Sequence, residues 1–353
     1  MANERHFFSG ANTPFGFYSY FDYILPSKNA AKIYCIKGGP GTGKSSFMRK
    51  IAAAMDKRGY DTELVHCSSD DHSLDGVVIK KVNVALMDGT SPHVMDPKYP
   101  GAVDTVLHLG DFWEEAGIRA HRQEIMRLGD EISGLYQRAY RYLGAARKLY
   151  DDIAAINQVI YSPYARDSFI ESVVFHEFAE LPLSPKQGNK RKLFASGITP
   201  NGMVNYLDTL IPGKKTYVLK GYAGDVLTQL ADYAIKRGMD AELYFCPMDP
   251  ENTCEHLLIP TLGLAFTTSN AYHSYQDGEV VEFEPAAGVS DAVLDVLKYD
   301  GEAMRTLLDR TVSTIRQAKA LHDELEACYI PNMHFQDIDA LFDKTLKQIL
   351  EIA

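Results

Sequence analysis

One feature constrains this chain more than any other: it is written twice. Ser9-Gly-Ala-Asn-Thr13-Pro14-Phe-Gly16, followed by Tyr20, Asp22 and Pro26, recurs as Ser196-Gly-Ile-Thr199-Pro200-Asn-Gly202, followed by Tyr206, Asp208 and Pro212. "KRGYDTELVHC" (Lys57 to Cys67) recurs as "KRGMDAELYFC" (Lys236 to Cys246), with seven identities in eleven. "VALMDGTSPH", ending at His93, faces "LAFTTSNAYH", ending at His273, and "RKLYDDIAA" from Arg147 faces "KALHDELEA" from Lys319. Chance does not keep order across four separate stretches, so the chain is a duplication of one structural unit. The first repeat covers residues 1–185 and the second 190–353, joined by the polar linker "LSPKQGNKRK".

Each repeat has the same coarse order. A Thr-Pro-x-Gly turn and a short helix lead into a strand (Lys32–Lys37; Thr216–Lys220), then a glycine loop and a helix. A second strand (Thr62–Ser68; Ala241–Cys246) and a third apolar strand (Val82–Met87; Leu262–Thr267) follow. Strand–helix–strand spacing predicts an α/β fold: two tandem parallel-sheet domains with crossover helices, each followed by a helical segment. In the first repeat that segment, about 112–180, carries a heptad: Ile118, Ile125, Ile132, Ala139, Ala146, Ile153 and Ile160 at one position, His121, Leu128, Leu135, Tyr142, Leu149 and Ile156 at the other. The pattern predicts a long helix or helical hairpin. Gly129, Gly134 and Gly144 argue against one unbroken rod. Either the helices pack on their own α/β core, or they project as an arm that grips a protein partner.

A formal charge of −11 leaves no surplus of Lys or Arg to neutralise phosphates, which argues against broad nucleic-acid binding. The five cysteines (Cys35, Cys67, Cys246, Cys254, Cys328) are scattered, without a CxxC or Cys/His cluster, as expected of reduced thiols. The N-terminus has no long apolar stretch and no run approaches a membrane span, so a cytoplasmic protein without membrane contact is expected. Oligomeric state is not readable; an internal pseudo-dimer is expected from the duplication.

Gly38-Gly39-Pro40-Gly41-Thr42-Gly43-Lys44-Ser45 fits GxxxxGK[ST], with an apolar strand before it and a helix-forming run from Ser45 and Ser46 after it. That context is what the motif requires. Glycines let the backbone aim successive N–H groups at phosphate oxygens, and the helix N-terminus adds its unpaired donors. Lys44 is placed to bridge β- and γ-phosphates and the Ser45 hydroxyl to ligate Mg²⁺. Asp88, ending the apolar run "VNVALMD", is the candidate metal-site acid; a turn-forming role is its alternative. Asp70, Asp71 and His72 follow the second strand, where one of them could orient or deprotonate a nucleophile. The implied ligands are ATP and Mg²⁺.

The chain resembles a P-loop NTPase, with "GGPGTGKSS" similar to the ATPase branch containing AAA+, RecA-like and KaiC-like proteins. The tandem pattern resembles a family of uncharacterised bacterial P-loop ATPases with two homologous halves. The resemblance implies a nucleotide site. No Glu follows Asp88, where many hydrolytic relatives hold the water-activating residue.

The second copy is a control for the first. Thr13/Thr199, Pro14/Pro200, Gly16/Gly202, Lys37/Lys220, Cys67/Cys246, Asp70/Asp249 and His93/His273 persist, which marks them as scaffold and leaves Asp71 the better catalytic candidate. A four-residue gap in the second copy removes Thr42, Gly43, Lys44 and Ser45, and Thr268 faces Asp88. The second repeat is therefore expected to bind no Mg-nucleotide. It could still lend an arginine to the first site, from among Arg237, Arg305, Arg310 and Arg316. The leading expectation is an ATPase with one site in the first repeat. A kinase acting on a small molecule or nucleotide is the alternative, and a nucleotide-gated scaffold without turnover the third reading.

Overall fold

Runs such as "KIYCIK" and "TELVHC" are buried residue after residue rather than alternately, which places them inside a sheet covered on both faces. The computed structural model describes residues 3–90 and 95–353, so His93 lies outside the described residues. The first repeat begins with β1 (Glu4–Phe8), the hairpin β2 (Gly10–Thr13) and β3 (Gly16–Ser19), and β4 (Lys32–Lys37). It continues through α1 (Lys44–Asp56), β5 (Thr62–Cys67), β6 (Asp70–Ile79), β7 (Val84–Asp88) and β8 (Asp104–His108). Helices α2 (Glu115–Ala120), α3 (Arg122–Ile160) and α4 (Pro163–Val173) complete it. The second repeat opens with β9 (Lys190–Leu193), the hairpin β10 (Ser196–Thr199) and β11 (Gly202–Asn205), the short α5 (Leu207–Leu210) and β12 (Lys215–Lys220). Then come α6 (Val226–Lys236), β13 (Ala241–Cys246), β14 (Asp249–Ile259), β15 (Leu264–Thr268) and β16 (Glu279–Glu282). The chain closes with α7 (Asp291–Tyr329) and α8 (Phe335–Ile352).

Two six-stranded sheets result, ordered β1-β5-β6-β7-β4-β8 and β9-β13-β14-β15-β12-β16. Position for position they are the same sheet, so the duplication in the sequence is a duplication of topology. The expectation of parallel sheets is corrected: both sheets are mixed, because β6 and β14 run antiparallel to both neighbours. These strands escape a sequence reading because "DDHS" and "DPEN" open them as polar, loop-like stretches. Only their second halves enter the apolar sheet. The edge strands β8 and β16 were likewise not anticipated.

The inner faces of the two sheets pack on each other, with Phe7, Ile33, Val65, Val78 and Ala85 of one meeting Leu193, Tyr244, Leu258 and Ala265 of the other. A charged cluster sits in this interface. Arg5 and its repeat-related partner Arg191 each bridge both Glu63 and Glu242: Arg5–Glu63 at 3.1 Å, Arg191–Glu63 at 2.7 Å, Arg191–Glu242 at 3.1 Å, and Arg5 also bonded to Glu242. Burial alone would raise the carboxyl pKa values, but the two guanidiniums and Lys80 hold both below the ordinary range. One cation and one anion from each repeat, alternating around one centre, fix the rotation of one repeat against the other.

The helical segments do not stay at home. Helices α3 and α7, each 39 residues, lie antiparallel, with Trp113 just before α3 bridged to Met333 past the end of α7 and Tyr161 past α3 bridged to Pro285 before α7. Helix α3 is unbroken despite Gly129, Gly134 and Gly144, all three of which face open space where a helix tolerates glycine at modest cost. Helix α4 and the π-helical turn after it bury Ile170, Val173 and Phe178 among Leu219, Val226, Leu227 and Leu230 of the second repeat. Reciprocally, Met333 just before α8, and Ile338 and Ile349 within it, are buried among Tyr34, Phe47, Met48 and Ile51 of the first. Each repeat thus completes the other's outer layer. Repeat-matched cations seal the exchange: Arg147 of α3 pairs with Asp249 at 3.0 Å and Lys319 of α7 with Asp70 at 3.5 Å. No helix among the described residues is long and apolar enough to cross a membrane.

Candidate nucleotide site

The loop between β4 and α1 is built as its glycines require. Gly41 and Gly43 take left-handed φ values of 65° and 86°, and Gly43 caps the N-terminus of α1. An L side chain would be strained at either position. Thr42 is buried and its hydroxyl donates to Gly39 O at 2.9 Å, which holds the loop's curvature. Gly38 is buried, Pro40 is partly buried, and Ser46 is exposed on the first turn of α1. The leading N–H groups of any α-helix lack intrahelical partners, so the loop presents backbone donors toward whatever lies over it.

Four side chains converge beneath the loop. Lys44 Nζ donates to Gly38 O and Gly39 O, both at 2.9 Å, and lies 3.7 Å from Asp88 Oδ2. Asp88 arrives there because β7 is the immediate neighbour of β4, with Ile36 opposite Asp88. Its other oxygen accepts from Thr90 N at 2.8 Å. Ser45 Oγ accepts from Leu74 N at 3.0 Å, tying the first turn of α1 to β6. The next residue on β6 is Asp75, a buried acid that sequence reasoning missed. Burial first, and then the negative charge of Asp88, push its carboxyl well above the usual carboxylate range, while Lys44 pulls the other way. Asp75 has a counterpart in Glu255: each stands two residues before the strand partner of a matched leucine, Leu64 opposite Val77 and Leu243 opposite Leu257. Strand β14 is one residue longer than β6, and that shift hides the match in a gapless comparison.

The three residues after β5 go elsewhere. Asp71 is not brought to the loop: its carboxylate accepts from Asn201 Nδ2 at 3.0 and 3.2 Å, across to the hairpin of the second repeat. Asp70 accepts from Ser73 Oγ at 2.8 Å besides pairing with Lys319, and the carbonyl oxygen of His72 accepts from Arg49. Among the described residues no hydrogen bond or ion pair ties Arg237, Arg305, Arg310 or Arg316 to the loop; Arg237 binds Leu181 O and Arg316 binds Pro200 O.

What the second repeat contributes is the end of α7. Glu326 Oε1 accepts from Gly41 N at 3.2 Å. A Cβ on Gly41 would stand 2.9 Å from Ile330, and one on Gly39 would stand 3.1 Å from Tyr329 and 3.5 Å from Trp113. Phe335 lies over Gly43. The loop is therefore roofed by α7, by the start of α8 and by Trp113. In the matched helix α3 the residue facing Glu326 is Ala154, so the carboxylate occurs only over the copy that retains the glycine-rich loop. No local signal announces a residue separated from Gly41 by 285 positions.

The chain matches no protein-family model, and no curated protein or solved structure is significantly similar to it.

Proposed function

We propose that the first repeat binds one Mg-nucleoside triphosphate, ATP, and hydrolyses it. The observation that carries this reading is the convergence of Lys44, Ser45 and Asp88 at a loop whose two left-handed glycines open onto a helix N-terminus. Backbone N–H groups from Gly41 to Ser46 would donate to the phosphate oxygens. Lys44, which now satisfies two loop carbonyls, would exchange them for the β- and γ-phosphates. The Ser45 hydroxyl and the Asp88 carboxylate are hard oxygen donors on adjoining elements, a set suited to Mg²⁺, which would neutralise charge on the phosphates. Burial and the charge of Asp88 raise the Asp75 carboxyl well above its ordinary range, which disfavours a second negative charge beside Asp88.

A second reading, a nucleotide-gated scaffold, is favoured by one observation: the roof of the loop is the end of a 39-residue helix. Nucleotide that displaces Glu326 would shift α7 against α3 whether or not it is hydrolysed. Equilibrium binding of labelled ATP tests the shared core. One nucleotide per chain is expected, with affinity reduced at least about tenfold by Lys44→Ala, or about 1.4 kcal/mol, and with the fold retained in the absence of nucleotide. Two nucleotides per chain, or undiminished binding by Lys44→Ala, would overturn it. Phosphate release without an acceptor supports the ATPase; binding without turnover supports the scaffold.

A further inference from the structure

In the second repeat the phosphate loop is gone, but the floor of the site is not empty of chemistry. Glu255 stands where the first repeat has Asp75, and His256 stands where it has Gly76, opposite Thr267 as Gly76 is opposite Met87. His273, from the loop after β15, closes over them. All three are buried, and one ligand atom from each lies within 4.8 Å of the others. We propose that these residues form a binding site for a divalent transition-metal ion of the Zn²⁺ class.

The hydrogen bonding already orients the ligands. Thr267 Oγ1 donates to Thr268 O at 3.2 Å, so it is free to accept from His256 Nδ1–H at 2.7 Å. That tautomer leaves the lone pair of His256 Nε2 bare, and Nε2 is buried without a hydrogen-bond partner. An orphaned imidazole nitrogen in a residue 2% exposed is costly unless something binds it. His273 Nε2 has Thr268 Oγ1 at 2.9 Å and accepts from Asn270 Nδ2 at 3.4 Å, and Nδ1 is turned toward Glu255 Oε1 at 3.9 Å, where a metal ion would take the place of its proton. The rings of His256 and His273 stand edge to face, centroids 4.7 Å apart. Each ring is thus anchored through one nitrogen, His256 by Thr267 and His273 by Thr268 and Asn270, and outer-sphere partners of this kind orient metal-ligating imidazoles. The backbone supports it, with His273 N donating to Asn270 Oδ1 at 3.2 Å and Asn270 N donating to His273 O at 2.8 Å.

Two imidazoles and a carboxylate are a ligand set for Zn²⁺ and its neighbours rather than for Mg²⁺ or Ca²⁺. Donors about 2.1 Å from a tetrahedral ion stand about 3.4 Å apart, so the observed spacings need only a small inward closure. Three protein ligands leave a fourth position for water or another ligand. The site owes nothing to the nucleotide reading, since its residues lie in the copy that lost the loop. The duplication thus diverged into two different ion sites: hard oxygen donors around a phosphate loop in one repeat, nitrogen donors in the other.

Titration of chelator-stripped full-length protein with Co²⁺ and with Zn²⁺, in excess Mg²⁺, tests the proposal. One Co²⁺ per chain is expected, with visible d–d absorption, displacement by Zn²⁺ and a Zn²⁺-dependent rise in melting temperature. His256→Asn and His273→Asn should each weaken binding at least tenfold. His322→Asn, in the partly exposed His322–Asp323–Glu326 group of α7, should leave it unchanged. Where a histidine variant fails to fold, pulsed EPR of Cu²⁺ on the wild-type protein decides, with two coupled imidazoles expected. Absence of binding by the wild-type protein, binding that survives both histidine variants, loss with His322→Asn, or no imidazole coupling would overturn it.

Discussion

The roof over the proposed phosphate loop makes a quantitative demand. Glu326 accepts a hydrogen bond from Gly41 N at 3.2 Å, and a nucleotide phosphate would need the same donor. A hydrogen bond to a charged group is worth about 1.5–3 kcal/mol. The Glu326 side chain is 33% exposed, so solvent screening places it at the lower end, about 1.5 kcal/mol or roughly tenfold in affinity. Glu326→Ala should therefore bind ATP about ten times more tightly than the wild-type chain. Glu326→Gln, whose amide oxygen still accepts but carries no charge, should gain less. Titration calorimetry at fixed ionic strength, repeated at higher salt, reads the effect, and added salt should narrow the gap between the three proteins. Unchanged affinity in both variants would show that the carboxylate does not compete for the loop. Weaker affinity together with slower turnover would refute competition and make Glu326 a residue that serves bound nucleotide.

Three further expectations concern the frame that holds the site. Glu63→Ala leaves Arg5, Arg191 and Lys80 facing each other without their shared buried carboxylate; it should cost about 3–5 kcal/mol in urea denaturation, and a loss below about 1 kcal/mol would show the cluster to be solvated. Ile349→Ala empties a fully buried position of α8 beside Tyr34 and Met48, at about 2–5 kcal/mol; because α8 roofs the first repeat, both sheets should lose stability in one transition, and separate transitions would contradict the exchange. His66, desolvated by burial between His6 and Tyr206, has its pKa lowered from 6.5 to about 4, with the bond to Asp71 O opposing that shift. The unfolded chain then takes up the proton first as pH falls, so this contribution is complete above about pH 6.5 and is lost between there and pH 4, up to about 3 kcal/mol. His66→Asn should flatten that limb of the stability–pH curve, and an unaltered slope would refute the assignment.

The α/β class, the twofold repetition and the loop itself were legible because each rests on local chemistry. Gly41 and Gly43 sit where backbone geometry admits little else, and Lys44 and Ser45 follow at fixed spacing on a helix that the sequence shows directly. Asp88 was legible as the last residue of an apolar run. Asp75 was not, since its strand opens on polar residues and its counterpart Glu255 is offset by one position. Asp71 misled for a related reason. Proximity along the chain to β5 suggested the site edge, but the turn into β6 delivers its carboxylate to Asn201 of the other repeat.

The sequence by itself determined how each repeat is built: strand-loop-helix order, with a glycine-rich GxxxxGK[ST] loop in one copy and its deletion in the other. Those features follow from backbone conformation and hydrophobic periodicity, which act over a few residues. Tertiary structure alone decided which repeat completes which. The exchange of α4 and α8, the closure of Arg5, Arg191, Glu63 and Glu242 around one centre, and the arrival of Glu326 over Gly41 depend on residues far apart in sequence. Their energies arise only when two faces meet, so no short stretch carries a signal of them.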